Sequence, residues 1–191
     1  MPAIADPPIA PSARRATPSA AGILALVLAG SPTGATEFAA FADAGQAPAP
    51  VDTVDLDGRP FSIGGEPSRP TLIHFFASWC EPCEEELPAL MRYAEAEGER
   101  VRLIGVAVGE PASRAKTFVA RLGLPDPIAH DPEQAVARAF GVRGLPATAV
   151  LTPSGGRLLR AAGPVDWAYP RTSETLHALS IQLQEHKGES R

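Results

Sequence analysis

The chain has 191 residues and 45% apolar content, enough for one domain with a real core plus extensions. Its formal net charge is −5 and no basic run forms a patch, which argues against a nucleic-acid phosphate partner. Its two cysteines, Cys80 and Cys83, stand three positions apart, which excludes a disulfide framework and commits both to one local site.

Arg14 and Arg15 precede an apolar run, Ala20 to Ala29, which Gly30, Ser31 and Pro32 break. Basic, apolar, then small residues is the layout of a secretory signal. The run is about half the roughly 20 residues that a membrane-spanning helix needs. Cleavage after Ala35 fits this layout, giving a signal peptide over 1–35, with an uncleaved membrane anchor as the rival. Residues 36–50 read as a linker and 51–186 as the folded domain, with a short tail over 187–191.

Val51 to Ile63 alternates around Asp57-Gly58 and reads as a hairpin. Thr71 to Ala77 is almost continuously apolar, as in a buried central strand. A helix should start near Cys80, with Cys83, Leu87, Leu90, Met91 and Ala94 at helical spacing and Pro88 kinking it. Val101 to Val108 is the next strand. Ser113 to Leu122 is a helix with Ser113 as N-cap. Pro127 to His130 is a short strand. Asp131 should cap a helix through Phe140, with Pro132 at its first position. Ala147 to Leu151 and Arg157 to Ala161 are strands joined by a turn at Gly155-Gly156. A last helix runs from Ser173 to Gln184. Strands alternating with helices, then a closing hairpin and helix, imply an α/β fold: a mixed central sheet flanked by helices on both faces.

Trp79-Cys80-Glu81-Pro82-Cys83 joins the apolar strand to a helix start. Thiol–disulfide exchange needs an exposed thiolate to attack and a second thiol close enough to resolve the mixed disulfide. Cys80 would sit where the helix dipole stabilises its thiolate, and Cys83, one turn in, would resolve. Pro82 lies in the first turn, where its missing N–H costs little. Other uses remain open at this point: a structural disulfide, a pair of unlinked thiols, or a zinc half-site, for which His74 and His130 are the remaining core candidates. His74, on the apolar strand near the pair, is either a hydrogen-bonded core residue or a tuner of proton transfer. His130, His177 and His186 read as structural or solvated, and Trp167 and Tyr169 as packing. Glu81, Glu84, Glu85 and Glu86 crowd the same turns and oppose a second anion at Cys80, with no Lys, Arg or His within four residues to offset them.

FFASWCEPC resembles the active-site segment of the thioredoxin superfamily, and more narrowly that of the extracytoplasmic TlpA/ResA/CcmG-type reductases. Pro88 matches the proline of their helix. Glu86 stands where they often carry a glutamate near the cysteines. Gly144-Leu145-Pro146-Ala147-Thr148 resembles the loop with their cis-proline, and Gly163 to Trp167 a late motif. Val101 to Leu124 is similar to their extra β–α element. The resemblance implies a thioredoxin fold with an N-terminal hairpin and that inserted element. It implies a cis bond at Leu145-Pro146, where the flanking backbone would pair with a substrate strand. Two residues depart from the pattern: Ala147 replaces the commoner threonine, and His74 stands where relatives usually have asparagine.

The function implied is a periplasmic reductant of disulfides in exported proteins, of the cytochrome c maturation or copper-oxidase assembly type. It would be a monomer that draws electrons from a membrane thiol-relay protein, with no cofactor and no bound metal. It would contact the membrane only if the N-terminal segment is uncleaved. Two alternatives are carried: a module that holds and delivers Cu(I) on Cys80 and Cys83, and an oxidase of the DsbA kind.

Overall fold

In the computed structural model, residues 39–153, 156–167, 172–174 and 176–178 are described. The elements in chain order are β1 (Ala42–Gln46), β2 (Val51–Asp55), β3 (Pro60–Ile63), β4 (Thr71–Phe76), α1 (Glu81–Glu97), β5 (Arg102–Val108), α2 (Ala112–Leu122), β6 (Ile128–Asp131), α3 (Ala135–Ala139), β7 (Ala147–Leu151) and β8 (Arg157–Ala162). The strands form one eight-stranded sheet in the order β1-β8-β7-β4-β5-β6-β2-β3. β4, β5 and β6 run parallel, and the other pairings are antiparallel, so the sheet is mixed.

The sheet is covered on both faces because β4 is buried along its whole length and its residues alternate between two cores. Leu72 and Phe76 join Leu87 and Leu90 of α1 and Ala115 and Phe118 of α2. Ile73 and Phe75 join Val136 and Ala137 of α3 together with Phe140. Each fully buried Leu or Phe contributes about 1.5–3 kcal/mol, so the two layers fix the register of β4, and with it the position of everything that follows Phe76. β5, read from sequence as part of an added element, lies beside β4 near the middle of the sheet. Gly105 leaves room there for its neighbours: a Cβ would meet Ile128 Cδ1 at 2.6 Å and Phe76 Cε1 at 3.1 Å, so both side chains would have to shift.

Several local expectations change. Ala42–Gln46, inside the segment read as linker, pairs with β8 as an edge strand. α1 continues through Pro88, the position of the expected kink, to Glu97 as one helix. Pro111, not Ser113, occupies the N-cap of α2, and the Ser113 carbonyl accepts the Thr117 hydroxyl instead. α3 starts at Ala135 with Gln134 at its cap, so Pro132 is not its first residue. Asp131 still caps α3, from further back: its carboxylate accepts the N–H groups of Val136 (3.1 Å) and Ala137 (2.9 Å). Of the final helix, Thr172–Glu174 and Leu176–Ala178 are helical and Leu176 packs in the core. Residues 179–184, Tyr169, His186, Ser154-Gly155 and the signal segment lie outside the described residues.

Candidate active site

Cys80 stands at the N-cap of α1 with extended backbone, and its carbonyl accepts the N–H groups of Cys83 (3.1 Å) and Glu84 (3.2 Å). Its own N–H donates to the Ala77 carbonyl at 3.1 Å, closing a turn that links β4 to α1. Cys80 and Cys83 are joined as a disulfide, with Cα atoms 5.3 Å apart. Cys80 is 6% exposed and Cys83 fully buried, so a reagent reaches Cys80 first. Alkylation of the reduced protein with limiting reagent should therefore label Cys80 before Cys83, read by peptide mass; preferential labelling of Cys83 would reverse the assignment. Trp79 is 62% exposed beside the pair, and Pro82 is exposed in the first turn.

The loop before β7 reaches the same end of the sheet. Phe75 of β4 pairs with Ala147, so Pro146 extends past β7 at the edge where the chain leaves β4 for Cys80. The Leu145–Pro146 bond is cis, and the Pro146 carbonyl accepts the Gly163 N–H at 2.9 Å.

Glu86 lies three residues after Cys83, on the same buried face of α1. One carboxyl oxygen accepts the Trp167 indole N–H at 2.5 Å and the Val165 N–H at 3.2 Å. The other is buried with no hydrogen-bond partner among the described residues. Burial raises the Glu86 pKa from 4.5 to about 7, against the lowering effect of those two donors. A carboxyl with a pKa near neutrality, one helical turn from Cys83, can take and return a proton in the range in which thiols exchange. Trp167, read from sequence as packing, is thus also the donor that holds Glu86.

His74 is buried between β4 and β7. Its Nδ1 hydrogen-bonds Thr148 Oγ1 at 3.0 Å, and its ring stacks on Phe76. Burial lowers its pKa to about 3, so the ring stays neutral through the range in which thiols exchange. The acidic turn is less lopsided than its sequence, because the fold brings Arg121 of α2 to Glu84 at 2.5 Å. Sequence spacing gave no sign of that pair, which spans 37 positions. Among the described residues, no group of three or more His, Cys, Asp or Glu is placed to hold a metal ion. His130 donates instead to a backbone carbonyl, that of Glu110.

The Redoxin family profile matches residues 37–157, more than half of the chain. The chain belongs to the Redoxin family. Within it, this redoxin is similar to thiol-disulfide oxidoreductase ResA of Geobacillus kaustophilus, 33% identical over 63% of this chain and 69% of that protein. ResA of Geobacillus thermodenitrificans is also 33% identical, over 53% of this chain and 59% of its own length. The redoxin thus spans somewhat under two thirds of that relative. Among solved structures, MTB DsbF in its mixed oxidised and reduced forms aligns with a TM-score of 0.60 and 26% identity, covering 68% of this chain and 94% of that one. The thioredoxin-type fold and the TlpA/ResA/CcmG-type relationship both follow.

Proposed function

We propose that this redoxin is a protein disulfide reductase that acts on exported proteins outside the cytoplasm, through the Cys80–Cys83 dithiol. The Cys80 thiolate attacks one sulfur of a substrate disulfide, and the other substrate sulfur leaves as a thiolate. The Cys83 thiolate then attacks Cys80 Sγ, re-forming the Cys80–Cys83 bond and releasing the second substrate thiolate. Two electrons pass to the substrate, which takes up two protons to become a dithiol, and Glu86 accepts the Cys83 thiol proton. A membrane thiol-relay protein would return the electrons, and the chain would work as a monomer.

Glu86 carries this reading. A pair is strongly oxidising when its reduced form is stabilised, as by a very low attacking-thiol pKa. An ionised carboxyl on the Cys83 face opposes a nearby thiolate, and the exposed Glu81 and Glu85 add weakly to that. Substrate engagement is supported by an open cleft of about 510 Å³ along Gly144, Leu145 and Pro146, where an extended segment has room to pair with backbone. The ResA relatives and the Arg14-Arg15 and Ala20–Ala29 pattern support export to the periplasm. Exported proteins with paired cysteines, as in cytochrome c maturation or copper-oxidase assembly, are the substrate class this suggests.

The test is direction. The reduced protein should reduce a Cys-x-x-Cys disulfide peptide, with one Cys80–Cys83 disulfide formed per peptide reduced. The oxidised protein should leave the dithiol peptide largely untouched. Efficient oxidation of that dithiol would turn the assignment to an oxidase.

A further inference from the structure

Glu110 follows β5 in the chain and is almost wholly buried, yet its carboxylate serves a single residue among those described. One oxygen accepts the Ser78 backbone N–H at 2.8 Å, and the other accepts the Ser78 hydroxyl. No lysine or arginine pairs with it among the described residues. Burying a carboxylate is costly unless its oxygens are hydrogen-bonded, and here that requirement is met by one side chain and its own peptide group.

Ser78 lies inside the turn that the Cys80 N–H closes on the Ala77 carbonyl. Glu110 therefore grips the turn that ends on Cys80, by backbone and side chain together. The chain around it is held from β6: the N–H of the preceding residue, Gly109, donates to the Asp131 carbonyl at 3.0 Å, and His130 Nε2–H donates to the Glu110 carbonyl at 2.9 Å. The His130 carbonyl in turn accepts the Thr53 hydroxyl of β2 at 2.7 Å. The clamp thus runs from the sheet, through Glu110, to the residue two before the attacking thiol.

We propose that Glu110 is a positioning residue that holds Cys80 in register with Cys83, so that the dithiol closes to the disulfide with little loss of freedom. Without the clamp, the reduced turn samples more conformations, and closing the bond has to order them. Closure would then be less favoured and the resolving step slower. The inference rests on Cys80–Cys83 exchange as the reaction, whichever direction it runs.

Exchange rate with a disulfide peptide and redox equilibrium with a dithiol buffer are measured for the wild type, Glu110→Ala, Glu110→Gln and Ser78→Ala. A thermal melt checks folding. Glu110→Ala should weaken disulfide closure roughly tenfold, the scale of losing hydrogen bonds to a charged group. For two electrons that is about 30 mV less negative. Its exchange should slow by a similar factor. Glu110→Gln, which can accept the N–H and donate to the hydroxyl, should stay within about twofold of wild type. Ser78→Ala, which loses the hydroxyl bond alone, should shift the same way by a smaller factor. Wild-type equilibrium and rate in Glu110→Ala would overturn the inference, as would Glu110→Gln matching Glu110→Ala. If Glu110→Ala does not fold, Ser78→Ala decides: unchanged values overturn it. Absence of exchange in the wild type would instead overturn the functional reading.

Discussion

Cys83→Ser should stop turnover while leaving Cys80 able to attack. Cys83 is fully buried one turn into α1, its Cα 5.3 Å from that of Cys80, so in the native protein the mixed disulfide faces a resolving thiol already in place. Effective molarities for well-oriented groups reach about 10⁵ M or more, far above any thiol in solution. Losing that group should cut turnover by roughly three orders of magnitude. The protein should then accumulate as a one-to-one mixed disulfide with a disulfide peptide, visible by intact mass. Cys80→Ser should be equally inactive and form no such adduct. An adduct on Cys80→Ser, or turnover by Cys83→Ser near the wild-type rate, would contradict the assigned roles.

Glu86→Gln should change how stability depends on pH. The Glu86 pKa is raised by burial from 4.5 to about 7, so the folded state binds a proton that the unfolded chain has already released. The associated stability is full below about pH 4.5 and is lost as pH rises through 7. A raised carboxyl of this size is worth about 3 kcal/mol between those limits. Wild type should therefore lose up to that much from pH 4.5 to 8 relative to Glu86→Gln, as seen in denaturant midpoints at each pH. The same substitution removes negative charge beside the pair and should lower the pH at which Cys80 becomes reactive toward alkylating reagent. Parallel stability profiles for the two proteins would show that Glu86 is not titrating in the fold.

The central strand, the helix that starts after Cys80 and a mixed sheet covered on both faces were legible because apolar runs and helical spacing report burial directly; the strand order within that sheet was not. The hairpin was legible from alternation around Asp57-Gly58. β1 was not: Ala42–Gln46 has weak alternation and low strand propensity, and it becomes a strand only because β8 offers an open edge. The α3 cap was half legible. Asp131 was the right residue, but it reaches Val136 and Ala137, five and six positions on, so the helix begins later than a local cap implies. At the site, Cys80, Cys83, Glu86 and Pro146 could be picked from one short motif and one loop. Glu110, Trp167 and Arg121 could not, because each acts on a residue 32 to 81 positions away. The one sequence signal for Glu110 was a glutamate just after an apolar strand, and that signal is common.

The most direct measurement is the redox equilibrium of the purified domain in graded dithiol–disulfide buffers, with the Cys80–Cys83 state read by alkylation and mass. The acidic environment of the pair predicts a potential nearer the roughly −270 mV of thioredoxin. A value near the roughly −120 mV of a DsbA-like oxidant would contradict the reductase assignment.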